Sequence, residues 1–145
     1  MDLIKKLLRI VVLGLLLSGN AYAFGSVIGK GEITLSKKTA AMFIAYLRSE
    51  ISQTFIISKD GKYSNYSICH SLKWSNRSCA GGKGSTPSLI KSCKKATGMK
   101  CYTFAMKKGD KKIIRWNEDG YEFDLKQQQS EYDWIIKILK NRNFY

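Results

Sequence analysis

Apolar positions along the chain follow two rhythms that alternate. Between Lys37 and about Ser49, Ala40, Phe43, Ile44 and Leu47 fall at the i, i+3, i+4 spacing of one helical face, with Ser36 at the N-cap position. "TFIISK" and "KYSNYSIC" follow as strand-type runs on either side of an Asp60-Gly61 turn. After the polar stretch "HSLKWSNRSCAGGKGS" the same order begins again. Thr86 caps a second helix with Pro87 in its first position, and Leu89, Ile90, Cys93 and Ala96 share one face. Lys94 and Lys95 occupy its last turn, where cations are favoured, and Gly98 supplies a left-handed cap. The strand "CYTFAMK", the turn "KGDK" and the strand "KIIRW" complete the second unit.

A shift of 48 positions sets Gly61 on Gly109, Ile56 on Phe104 and Ala45 on Cys93, though it also sets Phe43 on Lys91. Helix–strand–strand therefore occurs twice as a degenerate repeat, and two units are too few for a solenoid. A third helix, "SEYDWIIKILKNR", is capped by Ser130 with Asp133 at N3, and its stripe of Trp134, Ile135, Ile138 and Leu139 is read as packing on the sheet. The expected fold is α+β: a small antiparallel sheet with helices packed largely on one face.

The first residues change the picture of where this domain works. Lys5, Lys6 and Arg9 precede an apolar run from Ile10 to Leu17, and Ala21-Tyr22-Ala23 has the small-x-small form of a cleavage site. Residues 1–23 read as a secretory signal peptide, too short to span a bilayer. Residues 24–145 then form one exported domain, periplasmic or secreted, with no transmembrane segment after cleavage. Removing Lys5, Lys6, Arg9 and Asp2 leaves 22 basic and 10 acidic residues, a net charge of +12. That charge favours anionic partners.

Cys69, Cys79, Cys93 and Cys101 all lie in the exported part, where disulfides are the default. Three connectivities are open, and the spacing favours Cys69 with Cys79 and Cys93 with Cys101. For the second pair, a core-facing cysteine one turn before a helix cap and another at a strand start can approach to the Cα separation a bridge requires. Each bridge is worth about 2–4 kcal/mol, mainly by restricting the unfolded chain. A thioredoxin-like pair would need its thiol at a helix N-terminus, and structural zinc would need C-x2-4-C knuckles. Neither spacing is present.

Candidate chemistry is sparse. His70 is the single histidine, it follows a cysteine expected to be bridged, and no G-x-S-x-G elbow presents a serine. No catalytic residue, metal site or cofactor is expected. "GGKGST" departs from the phosphate-loop motif, but Lys83, Ser85 and Thr86 lie where a glycine-rich turn enters a helix N-terminus, and can bind an anion. Lys107, Lys108, Lys111 and Lys112 crowd the following hairpin, with Lys91, Lys94 and Lys95 on the second helix. From Lys91 to Arg115 nine residues are basic and Asp110 alone is acidic. From Asn117 to Asp133 six are acidic against Lys126, and that segment can fold back over the basic one. Tyr102, Phe104 and Trp116 interleave with the basic stretch as in single-strand nucleic-acid binders, but their alternation fits a core, so nucleic acid is disfavoured.

The leader together with "GKGEITLS", "FIISKDG…Y…C" and "IKSCKKATGMKCYTFA…IIRW" resembles small exported bacterial proteins of unknown function, marked by a helix with a cysteine, a glycine turn and a cysteine-led strand ending near Trp. The likeness covers roughly Gly29 to Asn117 and implies no reaction. The expectation is a non-enzymatic envelope protein that binds an anionic polymer or lipid surface through lysines. Two alternatives stand beside it. One is a hydrolase built around His70, the Cys69–Cys79 loop and Asp60. The other is a protein-binding or inhibitory module using the Trp74–Arg77 loop.

Overall fold

The computed structural model describes residues 28–68, 86–124 and 132–145, together with Ile4. Within them lie the helices α1 (Lys37–Arg48), α2 (Thr86–Thr97) and α3 (Tyr132–Asn141). Five strands accompany them: β1 (Ser52–Ser58), β2 (Ser64–Ile68), β3 (Cys101–Lys108), β4 (Lys111–Ile114) and β5 (Glu122–Asp124). The strands form one antiparallel sheet in the order β2-β1-β3-β4-β5, so the fold is α+β. Apart from Ile4, residues 1–23, read above as a signal peptide, lie outside the described residues, as do Cys69, Cys79, His70, residues 74–77, Lys83, Ser85 and Ser130.

Helix α1 starts where its sequence says. The Ser36 hydroxyl accepts the Thr39 amide at 3.1 Å, satisfying one of the orphan donors of the first turn. Its apolar face presses Phe43 edge-on against Phe55, Phe104 and Phe123, with ring centroids 5.2, 5.3 and 5.6 Å away. Phe43 is fully buried at the centre of this core, where truncation to alanine costs about 3–5 kcal/mol. Ile135 and Leu139 of α3 join the same cluster.

Strand β1 is buried on both sides. Phe55 and Ile57 belong to the α1 core, whereas Ile56 between them packs with Leu89, Cys93 and Cys101. Successive side chains on a strand point to opposite faces. Helices α1 and α3 therefore share one face of the sheet, and α2 lies across the other. The order helix–strand–strand recurs, but its two helices land on opposite sides. A bulge adjusts the middle of the sheet: Phe55 pairs with Ala105 and Ile56 with Thr103, leaving Phe104 as the extra residue. Both Phe104 and Ala105 reach the main core.

The second unit is stapled as its pattern suggests. Cys93 and Cys101 form a disulfide with Cα atoms 6.1 Å apart. Between them Gly98 adopts φ 69°, and its amide closes the helix on the Lys94 carbonyl at 2.8 Å. Thr86 lies within helix α2 rather than at its cap.

Ahead of α1 an N-terminal strap runs along the sheet and ties the ends of the domain together. Ile28 makes a parallel bridge to Thr103, and the Leu35 amide donates to the Phe144 carbonyl at 2.8 Å. The Trp116 indole N–H donates to the Gly31 carbonyl at 2.8 Å. The Asn117 side chain accepts from the Gly31 amide at 2.7 Å and donates to its carbonyl at 3.1 Å. Gly29 permits this: a Cβ there would fall inside the Trp116 ring.

Candidate anion-binding surface

The four hairpin lysines do not form one exposed surface. In β4, Lys112 shares a face with Ile114, and that face is the main core. Lys112 is fully buried beneath the end of α1. Its ammonium donates to the Tyr46 carbonyl, the Ser49 carbonyl at 2.6 Å and the Ser52 hydroxyl, and sits 4.2 Å from the centre of the Tyr46 ring. The last carbonyls of a helix lack internal partners and carry its negative dipole end, so a cation is suited to that place. Burial, and secondarily the charge of Lys107, pull the pKa of the Lys112 ammonium down to about 7. Lys112 is thus a structural plug for the α1 C-terminus and leaves the anion-binding set.

The remaining hairpin cations are largely engaged. Lys107 is half-buried and donates to the Glu50 carbonyl at 2.6 Å. Lys111 pairs with Glu122 at 2.8 Å, and the hydrogen bond to that carboxylate raises the lysine's pKa. Lys108 is exposed. With Met106, Ile113 and Arg115, Lys107 and Lys108 line a shallow dip of about 240 Å³. Strand β5 sets Asp124 opposite Lys111 and Glu122 opposite Ile113. Of the acidic segment, Glu122–Asp124 lie alongside the basic hairpin as a sheet strand.

At the other end of β3 the balance is different. The Ser58–Cys101 register and the bond from the Lys59 amide to the Lys100 carbonyl, at 3.0 Å, bring the β1–β2 turn beside the end of α2. Lys59, Lys62, Lys91, Lys94, Lys95 and Lys100 are all exposed on this end or along α2. No ion pair among the described residues involves any of the six. The chain has no Asp or Glu between Thr86 and Gly109. Asp60 is nearby, but it accepts from the Ser58 hydroxyl at 2.5 Å and the Lys62 amide at 3.1 Å, bonds that hold its carboxyl below the usual range and fix the turn. That use of Asp60 is structural. Sequence reasoning missed Lys59 and Lys62 because both lie far from α2 along the chain. The β1–β3 pairing brings their turn to Lys100, and no local pattern announces that pairing.

The aromatic residues interleaved with the basic stretch are core. Phe104 and Trp116 are buried, and Tyr102 meets Trp116 edge-on with centroids 5.8 Å apart. Thr86 is half-buried in the first turn of α2. Among the described residues, no group of three or more His, Cys, Asp or Glu side chains is arranged to hold a metal ion. No described helix is long and apolar enough to cross a membrane. No family model, curated protein or solved structure matches the chain.

Proposed function

We propose that this is an exported, non-enzymatic domain, periplasmic or secreted, that binds an anionic partner through lysines. The observation that carries the reading is the set of six exposed lysines at the stapled end of the sheet, none of which forms an ion pair among the described residues. A cluster of one sign attracts and holds anions by summed field rather than by a shaped pocket. Such binding weakens steeply with salt, through screening and counterion release.

The test is retention on heparin at two salt levels, for the wild type and two charge-reversed variants. Lys94→Glu/Lys95→Glu/Lys100→Glu should lose retention at low salt. Lys108→Glu/Arg115→Glu should keep most of it, because the hairpin end already carries its own carboxylates. Both variants should melt close to the wild type, since exposed substitutions change stability by less than about 0.5 kcal/mol. Equal retention of all three proteins would make the lysines a solvated face and remove the proposal.

A further inference from the structure

Met99 stands out at the stapled end as a large apolar side chain that is 39% exposed. It follows Gly98, around which there is open space, and it lies close in the chain to Lys94, Lys95 and Lys100. The turn that carries it is braced from both sides. The Met99 amide donates to the Thr97 hydroxyl at 3.1 Å, and that hydroxyl donates to the Cys93 carbonyl at 2.8 Å. The Cys93–Cys101 disulfide closes the base. A tip held in this way loses little freedom when it docks.

We infer that the Gly98–Met99 turn is a membrane-contact point: it seats on an anionic bilayer, with Met99 entering the headgroup–acyl boundary and the flanking lysines on lipid phosphates. This rests on the anion-binding reading above and names its partner. Charge complementarity accounts for the lysines on any polyanion, but only a bilayer offers hydrocarbon beneath a layer of negative charge. A flexible thioether suits a disordered apolar layer. The lysine stems can lie along the boundary while their heads stay with the phosphates.

The experiment compares the full exported chain with Met99→Ser and with Lys94→Glu/Lys95→Glu/Lys100→Glu. Each is mixed with vesicles of equimolar phosphatidylcholine and phosphatidylglycerol, with phosphatidylcholine vesicles, and with heparin. The wild type should bind the anionic vesicles and not the zwitterionic ones. Met99→Ser should weaken vesicle binding about tenfold, as the loss of one partly buried side chain implies, and leave heparin retention unchanged. The charge-reversed variant should lose both. Heparin retention with no vesicle binding, or vesicle binding indifferent to Met99→Ser, would overturn the membrane inference and leave the anion-binding reading standing. Failure to bind either probe would remove both.

Discussion

The two ends of β3 both carry lysines and use them in opposite ways. At the hairpin end, Lys112 is buried under α1, Lys107 holds the Glu50 carbonyl and Lys111 pairs with Glu122. At the stapled end, Lys94, Lys95 and Lys100 meet no carboxylate among the described residues. The difference lies in what each end packs against. Strand β5 brings acidic residues to the hairpin, whereas α2 contains no acidic residue at all. Net charge therefore says little about where an anion can bind until pairing has removed the cations already in use.

The comparison can be broken most directly at Lys112. Lys112→Met should destabilise the fold by about 3 kcal/mol, because the Tyr46 and Ser49 carbonyls and the Ser52 hydroxyl each lose their hydrogen bond to the ammonium. Lys100→Met, at the exposed end, should change stability by less than about 0.5 kcal/mol. Urea unfolding of both variants measures the contrast, and equal costs would mean the two ends do not differ in this way. Reduction of the Cys93–Cys101 bridge should cost about 2.5 kcal/mol, the value expected for a short closed loop. A thermal melt of Cys93→Ser/Cys101→Ser beside the wild type reads it, since a reductant would also act on Cys69 and Cys79.

The pH profile sharpens the same contrast. Folding lowers the Lys112 pKa from 10.5 to about 7, so above pH 7 the unfolded chain keeps a proton that the folded chain has released. Stability should then rise with pH across the window from about 7 to 10.5, by about 1 kcal/mol between pH 7 and 8. Lys112→Met should lose that rise. A flat wild-type profile would mean that the three acceptors hold the ammonium charged. The smallest effect belongs to Glu122→Gln, which removes an exposed ion pair that water and salt already screen. Its melting temperature should barely move, while retention on heparin increases as Lys111 is released.

Local signals were legible in the sequence. The Ser36 cap, the Gly98 turn and the spacing of Cys93 and Cys101 each depend on neighbours a few residues away, and each stands in the structure where the pattern places it. Strand β5 was not legible: Glu-Phe-Asp has one apolar residue, and Phe123 is buried because it lies opposite Lys112 in the neighbouring strand. The burial of Lys112 did leave a trace, since it alternates in step with Ile114. The run Phe55-Ile56-Ile57 likewise announces a strand covered on both faces, which is why α2 could take the side opposite α1. Of the cluster at the stapled end, Lys91, Lys94 and Lys95 were legible on their helix, whereas Lys59 and Lys62 were hidden by distance along the chain.

The strap has a consequence for the order in which the fold can be completed. Its residues bond to partners that are synthesised much later: Gly31 to Trp116 and Asn117, and Leu35 to Phe144. A chain threaded from its N-terminus through a narrow channel delivers the strap first and its docking sites last. The β1–β2 hairpin can form while the rest is still in transit, but Leu35 must wait until the residues after α3 have emerged. For a chain delivered in this way, final closure is tied to the end of transport rather than to its beginning.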